Sequence, residues 1–276
     1  MTNTIASAPV VPARSRSARA ASERAASVRV GQESRPIAFG RWAGVVFGVG
    51  TQALFLVTVA YLFLFLRYGG SSPCANWMLV DCLLALGFCV PHSILLAPPA
   101  QQIIKRWMPG GLLGCLHCCV TCVTLLLTFH FWGRSEIAIW RFTGWMNWIM
   151  LSGFYGSWIA LFYSLYLTGM GYQTGLTQWW YWLIQQKPPV REFVKRGAFK
   201  YMRHPVYMSF LGLIWFTPEM TIDHAILTSI WTLYIYAGSY FKDQRLLKFI
   251  GAPYLEYGRD VSGLPFIGFG SLRKFR

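Results

Sequence analysis

The sequence predicts an all-α fold: a polytopic membrane bundle of about six transmembrane helices with both termini in the cytoplasm. Of the 276 residues, 55% are hydrophobic and 17% aromatic while only 13% are charged, a balance that excludes an ordinary soluble domain. The apolar residues gather into stretches of roughly 20, the length a helix needs to cross about 30 Å of hydrocarbon. Basic residues also alternate from one intervening loop to the next, the pattern that separates cytoplasmic from external loops.

The chain divides into four parts. Residues 1–40 are rich in Ala, Ser and Arg, are opposed only by Glu23 and Glu33, and lack an aromatic side chain until Phe39. That composition predicts a disordered basic tail, with an organellar transit peptide as the second reading. Residues 41–168 hold apolar stretches near 42–66, 77–97, 112–132 and 145–168, a four-helix transmembrane region. Residues 169–204 read as a cytoplasmic loop with an amphipathic aromatic segment, and 205–276 as a transmembrane hairpin (205–216 and 222–241) followed by a cytoplasmic tail.

Charge sets the expected orientation. The N-terminal tail, Lys105 and Arg106, the loop from Lys187 to Arg203, and the C-terminal Lys242, Arg245 and Lys248 fall on one side. Arg67, Arg134, Glu136, Arg141, Glu219 and Asp223 fall on the other, so the more basic side is read as cytoplasmic. The net charge of +15 is spread over separate juxtamembrane segments with no nucleic-acid motif beside them, which argues against a nucleic-acid partner.

Within the spans, Cys115, Cys118, Cys119 and Cys122 follow one helix face, and a tetrahedral metal ion cannot collect four ligands spread over about 10 Å of axis. They read as small packing residues, with no metal site expected. Only Cys74 of the seven cysteines is expected outside the hydrocarbon, so no disulfide framework is predicted. An ionisable group inside a span is expensive and faces the bundle interior or a wet cavity. Asp81 reads as a structural hydrogen-bonding group, and His130 and His224 as structural. His92, in Pro91-His92-Ser93 about a turn and a half from the cytoplasmic end of its span, is the functional candidate.

The most informative segment is Arg203-His204-Pro205-Val-Tyr207, where a polar loop opens a membrane hairpin. Proline suits the first helical position, and the unpaired amides and positive dipole end of a helix start suit an anionic group. Further local signals are Gly175-Leu-Thr-Gln178, Thr217-Pro218-Glu-Met220, Gly251-x-x-Tyr254-x-x-Tyr257 and Leu264-Pro265-Phe266. In this order they resemble the membrane methyltransferase superfamily that includes isoprenylcysteine carboxyl methyltransferase, and within it the methanethiol S-methyltransferase and nurim family. His92-Ser93 is similar to the early His-Ser of that group.

The resemblance implies a bundle that binds S-adenosylmethionine at its cytoplasmic end and methylates a small thiol, with the protein in a bacterial inner membrane. It assigns Arg203, His204, Pro205, Tyr207, Asp243, Tyr254 and Tyr257 to the cofactor. His92 and Ser93 are assigned to catalysis, and His92, Trp179 and Trp182 to the substrate. Arg203 suits a carboxylate through its planar fork, and the tyrosine faces suit an adenine or a sulfonium. A thiol reacts as thiolate, and His92 would take its proton. Trp179, Trp180, Tyr181 and Trp182 also read as headgroup anchors. The two adjacent glutamates of the family are Lys242-Asp243 here, Ser209 stands in place of Gly, and Pro91 in place of Gln. Two other readings stay open: a nurim-like protein without catalysis, and a methyltransferase for a prenylcysteine carboxylate or another lipid.

Overall fold

The structure, a computed structural model, describes residues 40–70, 72, 76–189, 195–265 and 272–275. The expected disordered tail and Cys74 lie outside the described residues. The chain is an all-α membrane bundle with one small sheet. Its long helices are α1 (Arg41–Tyr68), α2 (Trp77–Leu96), α4 (Leu113–Phe131), α5 (Gly144–Thr168) and α9 (Ile222–Ile250). Shorter ones are α3 (Pro98–Ile104), α6 (Met170–Gln173), α7 (Leu176–Leu183), α8 (Pro205–Trp215) and α10 (Ala252–Asp260).

Four helices, α1, α2, α4 with its preceding turn, and α5, are long and apolar enough to cross a membrane. Their mean hydropathy runs from 1.2 to 2.1. Much of their surface is apolar and outward, including Leu64, Leu83, Leu86, Val90 and Phe162. Such a surface is stable against lipid tails and not against water. Of the two further spans expected, α8 has 11 residues, about 16 Å, and reaches only partway across. The last helix, α9, has 29 residues, about 43 Å, and continues through 242–250 beyond the apolar stretch.

Packing runs in a circuit of neighbours: α1 on α4, α4 on α2, α2 on α9, α9 on α8 and α8 on α5. It closes where Phe63 of α1 meets Phe154 and Trp158 of α5, each at 5.8 Å between ring centroids. Inside lie Leu62, Phe65, Ala85, Phe129, Leu161, Leu213 and Leu227. Hydroxyls within the helices donate to carbonyls one turn back, as Thr58 does to Leu54 and Ser157 to Gly153, so they are satisfied without a partner helix.

At one end of the bundle β1 (Ala138–Arg141) pairs antiparallel with β2 (Glu219–Thr221), in register Arg141 with Glu219 and Trp140 with Met220. Arg141 and Glu219 also form an ion pair across the ribbon. Carboxylates fix the neighbouring turn: Asp81 accepts the Gly133 amide at 2.8 Å and Asp223 that of Ser135 at 3.0 Å. His224 Nε2 lies 3.1 Å from the Ile214 carbonyl. Asp81 and His224 are thus each tied to a backbone group at this end.

Candidate functional site

At the opposite end, the start of α8 meets the end of α9 and the C-terminal segment. Backbone pairing joins them: the amide of Arg203 donates to the Ser262 carbonyl at 2.9 Å and that of His204 to Gly263 at 3.0 Å. Farther on, the Phe275 amide donates to Gly258 at 2.7 Å, and a Cβ on Gly258 would collide with the Phe275 ring. Pro205 opens α8, as the sequence predicts.

Arg203 is 2% exposed. Its guanidinium donates to Asp243 at 2.9 Å, to the carbonyls of Val261 at 2.6 Å and Arg273 at 3.1 Å, and stacks 4.2 Å from the Phe275 ring centroid. The fork read as a grip for a carboxylate therefore holds one carboxylate of the protein together with the tail. Asp243 also accepts the Tyr254 hydroxyl at 2.5 Å, and His204 Nε2 lies 3.1 Å from its Oδ1. The Tyr257 hydroxyl donates to the Phe199 carbonyl at 2.6 Å. His204 stacks on Tyr207 at 5.3 Å, and Lys242 Nζ lies 4.8 Å from the same Tyr207 ring.

The seven residues assigned to the cofactor are thereby brought into one cluster, buried except for the half-buried Tyr207. Its electrostatics follow from burial and pairing. Burial pushes the Asp243 carboxyl up, but bonds from His204, Tyr254 and Arg203 outweigh that and hold it below the usual carboxylate range. Burial pushes His204 down despite the attraction of Asp243, so it favours the neutral ring. Burial likewise pushes the Lys242 ammonium down to about 8, against the pull of Asp243. Tyr254 and Tyr257 are raised, first by burial, and stay protonated donors. His204 Nε2 faces Asp243 Oδ1, whereas its Nδ1 has no hydrogen-bond partner among the described residues, although the ring is fully buried. That unpartnered Nδ1, beside an ionised carboxylate and an aromatic face, fits a polar, cationic ligand.

His92 and Ser93 sit apart from this cluster, on α2. His92 Nδ1 is 3.1 Å from the Thr121 hydroxyl, and its ring centroid is 4.6 Å from that of His117 on α4. Ser93 shares a hydrogen bond with the Tyr234 hydroxyl of α9 at 3.0 Å. Pro91 removes a helical hydrogen bond one residue earlier. Sequence reasoning missed Tyr234, Thr121 and Arg245. Arg245 lies within electrostatic reach of His92, His117 and Tyr207, and so links the histidine pair to the α8 start. Its only signal was a position one turn beyond the last apolar stretch.

Trp179 and Trp182 stand elsewhere again. They pack α7 against α1 and the start of α4, beside Leu112, Cys115 and Phe47, and the Trp179 indole donates to the Gly44 carbonyl at 2.9 Å. Gly175 makes this approach possible. Its φ of +79° is left-handed, and its Cα comes so near Gly114 that a Cβ on Gly114 would sit 2.7 Å from it.

The chain is similar to the methanethiol S-methyltransferase of a Pseudomonas species, 28% identical over 242 residues that cover 82% of this chain and 90% of that protein. It is similar to the methanethiol S-methyltransferase of Mycobacterium tuberculosis, 25% identical over 81% of this chain and 96% of that protein. Rat nurim is 28% identical over 56% of this chain and 62% of its own length. No protein-family profile matches the chain, and no solved structure matches it.

Proposed function

We propose that this chain, whose similarity supports the methanethiol S-methyltransferase and nurim family, is an integral membrane methyltransferase that converts methanethiol to dimethyl sulfide with S-adenosylmethionine as donor. One observation carries the reading: similarity to a protein named for that activity covers 82% of this chain and 90% of the Pseudomonas relative. The nurim similarity covers less of either chain and favours the non-enzymatic reading less.

In this reading the Arg203 cluster is the donor site. S-adenosylmethionine supplies an electrophilic methyl group on a sulfonium. Asp243 and the ring of Tyr207 face its positive charge, and the unpartnered Nδ1 of His204 takes one of its polar groups. Arg203 acts by holding Asp243 and the tail in place, with Tyr254 and Tyr257 locking the same segment. Pro205 sets the start of α8. His92 and Ser93 lie toward the reacting end, beside Tyr234. Trp179 and Trp182 act on the substrate side by fixing α7. Positioning of donor and acceptor in a closed site supplies much of the rate of such a displacement.

We infer that the donor-binding end faces the cytoplasm, because Lys105, Arg106, Lys187 and Lys195 precede or join this end, and, from the bacterial relatives, that the membrane is a bacterial inner membrane. The test is turnover of purified protein in nanodiscs with methyl-labelled S-adenosylmethionine and methanethiol, read as labelled dimethyl sulfide. Arg203→Ala and His204→Ala are expected to weaken donor binding about ten- to hundredfold by calorimetry while inserting normally. A folded wild type that neither binds the donor nor forms labelled product defeats the proposal. Labelled prenylcysteine ester instead of dimethyl sulfide would move the acceptor to the lipid class.

A further inference from the structure

The hydroxyl of Thr121 on α4 has one hydrogen to give, and its own helix takes it: Thr121 Oγ1 donates to the carbonyl of His117, one turn back, at 2.7 Å. The same oxygen lies 3.1 Å from Nδ1 of His92 on α2. With its hydrogen committed, that oxygen can only accept there, so the imidazole is the donor and Nδ1 carries the ring proton. A neutral imidazole has a single N–H, and the hydrogen bond made by one nitrogen fixes the state of the other. Nε2 is therefore left with the lone pair.

The ring held in this way adjoins the donor cluster through α9. Its centroid lies 6.1 Å from that of Tyr234, and neighbouring Ser93 shares a 3.0 Å hydrogen bond with the Tyr234 hydroxyl. One turn farther along α9 is Gly238, where a Cβ would sit 3.8 Å from the hydroxyl of Tyr207, the ring that stacks on His204. One face of α9 thus joins the histidine to the residues of the donor site. The charged and titratable groups around His92 are His117 from α4, Tyr234 and Arg245 from α9, and Cys89 three residues earlier on α2.

Resting on the methyltransferase reading, we propose that Thr121 is a positioning residue for the reaction: it holds His92 with its proton on Nδ1, so that Nε2 accepts the proton of the thiol. The S–H bond breaks toward His92 Nε2, and the freed sulfur pair forms the new bond to the methyl carbon. The donor's carbon–sulfur bond breaks with its pair kept on the donor sulfur, and the proton passes from His92 to water. With both ring nitrogens protonated in that interval, Nδ1 still donates to Thr121, so the hydroxyl stabilises the imidazolium as well as the starting tautomer.

Two measurements test this. Protein carrying heavy nitrogen in its histidine rings, reconstituted in lipid, reports the tautomer by solid-state NMR, with His92 identified by the signals lost in His92→Gln. Wild type is expected to show the His92 proton on Nδ1, Thr121→Val to move it to Nε2 in a large share of molecules, and Thr121→Ser to restore it. A wild-type proton on Nε2, or a tautomer indifferent to Thr121→Val, overturns the proposal. In turnover with methyl-labelled S-adenosylmethionine and methanethiol, Thr121→Val is expected to lose about tenfold in kcat at pH 7, with donor affinity by calorimetry and KM for the thiol as in wild type. That deficit should shrink as pH rises and thiolate formed in solution bypasses the base, and Thr121→Ser should turn over as wild type does. A deficit unchanged with pH, or one that the serine variant shares with the valine variant, overturns the positioning role. A wild type that shows the stated tautomer and binds donor yet methylates no thiol defeats the methyltransferase reading instead, with His92 still held by Thr121.

Discussion

Asp243 receives the Arg203 guanidinium at 2.9 Å and the Tyr254 hydroxyl at 2.5 Å, with almost no water to share the charge. Asn at this position keeps the shape but leaves a buried guanidinium without its anion. Breaking such a pair costs about 3–5 kcal/mol, so Asp243→Asn should lower the melting temperature in detergent and weaken donor binding. Lys242→Glu removes the like charge beside a cationic donor, and its donor affinity should equal or exceed that of wild type. Acid should loosen the same cluster. His204 is held below its ordinary 6.5, so the unfolded chain takes the proton first, and the stabilisation present above 6.5 declines as pH falls. Asp243, held below 3.8, adds a loss of the same sign at lower pH. Hydrogen exchange in α10, corrected for intrinsic rates, should be faster at pH 5.5 than at pH 7.5, and equal protection would refute the assignment. The segment from Arg203 to Tyr207 was legible because its chemistry is local. Its acceptors were not, because the carbonyls of Val261 and Arg273 belong to the backbone and leave no mark in a sequence.

The α7 helix rests on the passage of Gly175 by Gly114. Gly175→Ala forces an L side chain into the left-handed region, at about 1–2 kcal/mol, and drives a methyl into the α4 backbone. The expected result is displaced α7, a red-shifted tryptophan emission as Trp179 leaves Gly44, and a lower melting temperature. Gly114→Ala should reproduce it from the other side. Among the elements, the long apolar helices were readable to within a few residues because hydropathy and length suffice for them. The extension of α9 was not, since Lys242 to Ile250 is too polar to scan as membrane. Yet Lys, Gln, Arg and Leu are good helix formers, and nothing interrupts them before Gly251 and Pro253. The ribbon of β1 and β2 was missed because each strand is too short to show a period. Likewise, bringing His92, His117, Tyr234 and Arg245 together depends on the rotational phase of three helices, which composition does not reveal.

For the molecule as a whole, the alternation of basic loops predicts that both termini and the loop around Lys187 share one side of the membrane. Single cysteines placed at Gln186 and at Ser135, in a background without other reactive cysteines, should label from opposite faces. Labelling of Gln186→Cys from the outside only would reverse the orientation and remove the donor site from the cytoplasm. The circuit of helices has a second implication. The short α8 carries His204 at its start, whereas Asp243 rides just past the apolar stretch 222–241 of α9, about 30 Å long and so matched to the hydrocarbon. A matched span answers a thinner bilayer by tilting and a thicker one by thinning the lipid around it, and a partial span anchored at one surface cannot follow it by the same amount. The spacing of the histidine and the carboxylate is then geared to lipid length. In nanodiscs of graded acyl chains, donor affinity should pass through a maximum and fall on either side of it, so that membrane composition acts as a dial on the enzyme.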